Sequence, residues 1–170
     1  MDKTAKKKSA SRADKSEKLI KSYKEYVLLN GTRPASVFKF MHDLKMPEAE
    51  FYNYFASFNA LEKLVWNGYI TSTIEALHKD EVYGSYSVRE KLLSFYFSLI
   101  EILKSDRSFV QQTFSHTRKS PTTPPFLTGF KESYKAYVQE LVVEGFENEE
   151  IVKRPVVGDK YHDGLWLQLM

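Results

Sequence analysis

The chain of 170 residues contains no cysteine, which excludes disulfide frameworks and thiolate metal sites. Long apolar runs are also missing, since every run falls short of the roughly 20 residues that a membrane-spanning helix needs. The N-terminus is polar and rich in lysine, unlike a hydrophobic signal segment. We therefore expect a soluble protein of the cytoplasm that makes no contact with a membrane.

The sequence also lacks the residue patterns that carry catalysis. It has neither a glycine-rich phosphate loop nor a nucleophile elbow. Its four histidines form no pair at a spacing of four and have no carboxylate partner at metal-ligand spacing. Tyr161, His162 and Asp163 are explained better by a loop before a helix than by a catalytic group. We predict no enzyme activity, no catalytic residues, no metal and no cofactor.

Convincing strand alternation is absent, whereas apolar residues recur at helical spacing along most of the chain. We predict an all-α fold with three short helices up to Phe55 and a longer helix from about Asn59 to His78. Val88 to Lys104 is apolar nearly all round, which is typical of a central helix. The domains are predicted as a disordered basic arm over 1–13, a helix-turn-helix domain over 14–58 and a helical domain over 59–170.

The positive charge is concentrated at the N-terminus. Met1 to Lys24 holds nine basic residues against three acidic ones, a local charge of +6, whereas the whole chain carries +3 and the remainder therefore −3. A basic arm on an acidic body is attracted to polyanions. A solvated, disordered tail explains the same composition, and both alternatives stay open.

Residues 31–64 contain the order of elements that a helix-turn-helix requires. Asn30-Gly31 gives the first helix a left-handed stop, and Ser36 can cap the second. After a turn at Lys45, Pro47 lies where a first helical turn tolerates proline. Phe51, Phe55 and Phe58 are expected to pack between the helices. The third predicted helix then corresponds to the helix of a helix-turn-helix that lies in the DNA major groove.

This segment resembles the N-terminal DNA-binding domain of the TetR family of bacterial repressors over about 45 residues. Gly31, Ser36, Phe40-Met41, the turn Lys45-Met46-Pro47, the aromatic pentad 51–55, Ser57 and Leu61 fall on the family pattern without gaps. The resemblance implies a DNA-binding surface in which Tyr52 and Tyr54 suit phosphates and Asn53 suits an adenine edge. The predicted DNA-binding residues are Arg33, Ser36, Lys45, Pro47, Tyr52, Asn53 and Tyr54.

The segment departs from the family pattern at four positions. Lys45 replaces the turn glycine and would be strained at a positive φ. Glu48 and Glu50 lie where small polar or basic residues usually lead the recognition helix, and Phe58 replaces a lysine. Each lost cation costs a phosphate contact, and each carboxylate near a phosphate is repulsive.

The resemblance further implies that the second domain binds a ligand and dimerises. Aromatic side chains there could line an apolar cavity, although helical spacing alone predicts core packing. The predicted ligand-binding residues are Tyr96, Phe109, Phe130, Tyr134 and Trp166. We expect the interface of a homodimer to involve the stretch from Leu165 to Met170, and the polypeptide to continue beyond Met170.

The function predicted from these features is that of a TetR-like transcriptional regulator. It would be a repressor-type homodimer that binds double-stranded operator DNA and is modulated by a small apolar ligand. The alternative is a protein of the same fold that has lost operator binding and binds lipids or other hydrophobic ligands, which Glu48, Glu50 and Phe58 favour. Ligand identity, operator sequence and the sign of regulation are not predicted.

Overall fold

The structure, a computed structural model, describes residues 3–115, 123–152 and 161–169. For residues 3–12 it describes the backbone alone. The described residues form eight α-helices and two short 3-10 turns, and they contain no strand. The helices are α1 (Lys3–Asn30), α2 (Val37–Asp43), α3 (Glu48–Tyr52), α4 (Phe58–His78), α5 (Val88–Ser105), α6 (Arg107–Ser115), α7 (Thr128–Glu147) and α8 (Tyr161–Leu169). The 3-10 turns are Tyr83–Ser85 and Pro125–Leu127. The predicted all-α fold is confirmed.

The first helix begins earlier than the sequence predicts. α1 starts at Lys3, where a disordered arm over 1–13 was expected. Residues 3–13 contain no proline or glycine and are rich in alanine and lysine, so nothing in them stops a helix before Asp14. The end of α1 agrees with the sequence: Gly31 has a φ of 68°, and its N–H donates to the Val27 carbonyl at 2.9 Å.

Contacts between Cα atoms divide the chain into two compact units, and the first comprises Met1–Glu62 with Arg107–Pro121. Its core is aromatic. Phe58 stacks on Tyr23 with ring centroids 5.3 Å apart and meets Phe40 and Phe51 edge-on at 5.7 and 5.3 Å. Phe51, Phe55 and Phe58 are all buried, as the sequence predicts.

The unit boundaries differ from the predicted domains in two respects. The first boundary falls between Glu62 and Lys63 rather than between residues 58 and 59, because the first turn of α4 packs with the three preceding helices. In addition, α6 belongs to the first unit, where it packs against α1. Phe109 of α6 is buried there, and the Lys24 ammonium lies 5.5 Å from its ring centroid.

The second unit comprises Lys63–Asp106 and Thr122–Met170. A capping box starts α5: Ser87 accepts from the Glu90 N–H, and the Glu90 carboxylate accepts from the Ser87 N–H at 2.8 Å. α5 packs on α7, where Phe95 stacks on Tyr137 with centroids 4.8 Å apart. α7 also packs on α8. Within the described residues, no helix is long and apolar enough to cross a membrane.

The surface between α5 and α7 is more polar than the sequence suggests. Lys91 is buried, and its ammonium contacts the Glu144 carboxylate at 2.5 Å. The hydroxyls of Tyr83 and Tyr137 lie 2.7 Å apart, and Tyr137 also donates to the Lys91 carbonyl at 3.3 Å. Burying these groups is tolerated because each finds a hydrogen-bond partner.

The sequence predicts that Val88 to Lys104 forms a central helix, but in the structure only one face of α5 is buried. Val88, Lys91, Phe95 and Leu99 are buried, but Leu93, Phe97 and Ile100 are exposed. The helix has one packed face and one apolar face open to solvent, because the described part of its unit packs against only one side of it.

Candidate nucleic-acid interface

The connection between α2 and α3 is a tight turn centred on Lys45. Lys45 has a φ of 56°, and its N–H donates to the His42 carbonyl at 2.9 Å. The Met46 N–H donates to the Met41 carbonyl at 2.9 Å, which completes a Schellman motif with a lysine where glycine is usual. The expected strain at Lys45 is therefore present, because a side chain in the left-handed region is disfavoured.

The third helix holds its place through one buried face. Phe51 is fully buried, while Pro47 forms the N-cap position with a φ of −64° and stays exposed. Tyr52 is 54% exposed, and its hydroxyl donates to the Glu48 carboxylate at 3.2 Å. Asn53 is the exposed C-cap, and Tyr54 is half-buried beside Phe55. The outward face of α3 thus presents a phenol and an amide.

Glu50 of α3 is paired with the first helix. Its carboxylate lies 2.7 Å from the Lys15 ammonium, with side-chain exposures of 22% and 53%. The hydrogen bond and the negative charge of Glu50 raise the pKa of Lys15. This ion pair offsets part of the negative charge that the sequence places on α3. Sequence spacing could not reveal it, because the two residues belong to different helices.

Arg33 has a structural role that the sequence did not indicate. Its guanidinium donates to Asn59 at 2.9 Å and to the buried carboxylate of Glu62 at 3.1 Å. Tyr23 donates to the other oxygen of Glu62 at 2.5 Å. Burial, together with this bond to Glu62, raises the pKa of the Tyr23 phenol. Half of the Arg33 side chain is exposed, so a DNA contact by it stays a prediction.

Three of the predicted DNA-binding residues share one groove. Arg33, Ser36 and Tyr52 line it together with Ser57 and Asn59 at the start of α4. Ser36 caps α2 by accepting from the Lys39 N–H at 3.1 Å, and Ser57 accepts from the Ala60 N–H at 3.2 Å. Lys45 lines a separate concavity next to His42.

Four of the five predicted ligand-binding residues meet in the second unit. Trp166 of α8 lies 5.9 Å from Tyr134 and 6.3 Å from Phe130, measured between ring centroids. The Tyr96 hydroxyl is 2.8 Å from that of Tyr134. Burial is the main cause that raises the pKa of the Tyr134 phenol, and this hydrogen bond raises it further. Phe109 belongs instead to the first unit, because its ring is buried against α1. A role for any of the five in binding a ligand stays a prediction.

Charged side chains lie beside this aromatic group. The Lys131 ammonium lies 5.4 Å from the Trp166 ring centroid, and Lys135 pairs with Asp163. The Lys135 ammonium holds the pKa of Asp163 below its usual value.

Among the described residues, no group of three or more histidine and carboxylate side chains could hold a metal ion.

Comparison with known protein families finds a match in the second half of the chain. Residues 91–170 match the family described as "Tetracyclin repressor-like, C-terminal domain". No curated protein and no solved structure matches the chain. The match begins at Lys91 within α5 and includes α6, α7 and α8, the helices that follow the helix-turn-helix and its connecting helix. This match in the C-terminal part supports the resemblance to the TetR family that the helix-turn-helix segment shows.

Proposed function

We propose that the protein is a non-enzymatic transcriptional regulator of the cytoplasm, a homodimer that binds operator DNA and is modulated by a small apolar ligand. The observation that carries this proposal is the turn at Lys45, which connects α2 to a short helix whose Tyr52 and Asn53 are exposed. A helix held this way by one buried face is suited to lie in a major groove.

Each exposed group of this surface has a chemical task on DNA. The Asn53 amide can donate to and accept from an adenine edge, whereas the Tyr52 hydroxyl and the Lys45 ammonium suit phosphates. The cations of residues 3–24 supply attraction that does not depend on sequence. Affinity for arbitrary duplex should then fall steeply with salt, with a slope of about −0.9 per phosphate neutralised.

Dimerisation follows from the way such helices read DNA. Two recognition helices must be roughly 34–36 Å apart to occupy successive half-sites, which requires a two-fold pair. We place the interface at the end of the described chain, because Leu167 of α8 is 78% exposed. Light scattering of the complete polypeptide should give at least twice the mass of one chain, and a monomer would contradict the proposal.

The ligand is assigned to the aromatic group of the second unit. Phe130, Tyr134 and Trp166 are buried aromatic side chains that would line an apolar cavity, and Tyr96 and Tyr134 supply two hydroxyls beside it. A ligand that binds one helix arrangement better shifts the population toward it and changes the spacing of the recognition helices. α6 is suited to pass on this change, since it belongs to the first unit while α5, which precedes it, belongs to the second.

A second function is favoured by the first turn of α3. Glu48 and Glu50 are its acidic residues, and the helix itself contains no lysine or arginine. Carboxylates near phosphates weaken DNA binding, so a protein of this fold that binds lipids or other hydrophobic ligands without an operator is the alternative. The ion pair between Lys15 and Glu50 favours the regulator, because it reduces the repulsion between the Glu50 carboxylate and DNA phosphates.

Selection of operator sequences from random duplex DNA by the full-length protein separates the two functions. Asn53→Ala should cost about 1–3 kcal/mol at the selected site and leave binding to arbitrary duplex unchanged. Asn148→Ala is the matched control, because Asn148 is likewise the exposed C-cap of a helix, α7. If no sequence is enriched at low salt and Asn53→Ala changes nothing, the hydrophobic-ligand binder is the better account.

A further inference from the structure

One face of α5 is apolar and exposed. Leu93, Phe97 and Ile100 are 46%, 69% and 51% exposed, and they follow one another at spacings of four and three residues. Such spacing places side chains in one line along a helix, as in the seam of a coiled coil. The opposite face, with Phe95 and Leu99, is buried. The exposed line therefore takes no part in the packing of its unit, as far as the described residues extend.

The charges at the two ends of this line have opposite signs. Glu90 and Lys104 are each seven residues from Phe97, on the same exposed side of the helix. Glu90 also closes the capping box with Ser87, and the Lys104 ammonium lies 2.5 Å from Glu101. Both side chains remain exposed, so each keeps capacity for a further partner.

This arrangement is complementary to itself in only one direction. When two copies of α5 run antiparallel with Phe97 at the two-fold axis, Glu90 of each copy lies opposite Lys104 of the other, so opposite charges meet twice. When the copies run parallel, Glu90 meets Glu90 and Lys104 meets Lys104, which is repulsive. The charges thus select a second copy of this chain in antiparallel orientation.

We propose that α5 is a self-association surface on which a second copy packs antiparallel through Leu93, Phe97 and Ile100. This surface is distinct from the exposed end of α8 that we assign to the operator-binding dimer. Two isologous surfaces on one chain join dimers into tetramers. A tetramer brings four recognition helices together and can engage two operators at once.

The first experiment measures the sedimentation velocity of the full chain over a range of concentrations. Phe97→Glu should weaken self-association about thirty-fold or more, because it buries a charge at the centre of the contact. Val143→Glu is the matched control, since it places the same charge at another apolar position, 44% exposed on α7. A wild-type chain that is monomeric throughout, or equal effects of the two variants, would overturn the proposal.

A second experiment tests the orientation. Lys104→Glu alone should weaken association, because it sets two pairs of carboxylates against each other, and adding Glu90→Lys should restore it. Thermal unfolding monitors the loss of the capping box in the double variant. Failure to restore association in a folded double variant contradicts the antiparallel packing. Leu167→Glu distinguishes the two surfaces, because an effect of Leu167→Glu without one of Phe97→Glu leaves only the α8 interface.

Discussion

Lys15 of α1 and Glu50 of α3 form an ion pair with 2.7 Å between the ammonium nitrogen and a carboxylate oxygen, although 35 positions separate them in the chain. The pair connects the basic first helix to the helix that we assign to the major groove. It also changes what each charge can do on DNA, because a paired ammonium is less available to phosphate and a paired carboxylate is less repulsive.

We expect Glu50→Gln to tighten binding to every duplex sequence. The substitution removes a negative charge from the helix that we assign to the major groove and releases Lys15, so the salt dependence should steepen by about one phosphate contact. Fluorescence anisotropy with a labelled duplex at several salt concentrations measures both quantities. Glu147→Gln at the end of α7 is the control, and an equal gain from that variant would contradict a local effect.

Lys45→Gly should stabilise the protein by about 0.5–1 kcal/mol. The φ of 56° at Lys45 is disfavoured for a residue with a side chain and free for glycine. Lys39→Gly, within the regular part of α2, should instead destabilise by about 1 kcal/mol. Urea unfolding gives both values. A loss of stability in Lys45→Gly would show that the lysine side chain stabilises the folded state by more than its positive φ destabilises it.

The local features of the first unit are predictable because they depend on neighbours in the sequence. Ser36 caps α2, and Gly31 ends α1 in the left-handed region, as their residue types predict. The aromatic residues of the pentad also divide as expected, since Phe51 and Phe55 are buried while Tyr52 is exposed.

Pairings between distant elements could not be predicted in this way. The spacing around Phe109 predicts a buried ring but does not say which helix covers it, and the structure places it against α1. The same limit applies to Arg33, whose partner Glu62 lies on another helix. Phe97 shows the converse case, because an apolar residue in an apolar helix turns out to be exposed.

Alkaline solution should destabilise the protein through its buried phenols. Burial raises the pKa of Tyr23, Tyr69 and Tyr137 above the ordinary value of 10.0. A raised pKa in the folded state means that the stabilising effect is complete below pH 10 and is lost as the pH rises further. Ultraviolet difference spectra recorded with circular dichroism should show these phenols ionising together with unfolding. Ionisation of all tyrosines near pH 10 in a folded chain would contradict this.

The contribution of Tyr23 can be separated with one substitution. Tyr23→Phe removes the donor to Glu62 and leaves the ring packing intact, so it should cost about 1–3 kcal/mol at neutral pH. Tyr26→Phe is the control, because Tyr26 lies on the same helix and is half-buried. Chemical unfolding measures the two costs, and equal values would show that the bond to Glu62 contributes nothing specific.

Removing one partner of the ion pair between α5 and α7 should lower the free energy of unfolding more when Glu144 is replaced than when Lys91 is replaced. Glu144→Ala leaves the buried Lys91 ammonium without its carboxylate, and we expect a loss of about 1–3 kcal/mol. This range lies below that of a fully buried pair because the Glu144 side chain is 33% exposed. Lys91→Met should be tolerated better, since it puts an apolar side chain of similar length in the buried position and leaves the carboxylate partly in water. Thermal unfolding of both variants measures the difference, and a larger loss in Lys91→Met would show that the ammonium stabilises the packing of the two helices beyond its pairing with Glu144.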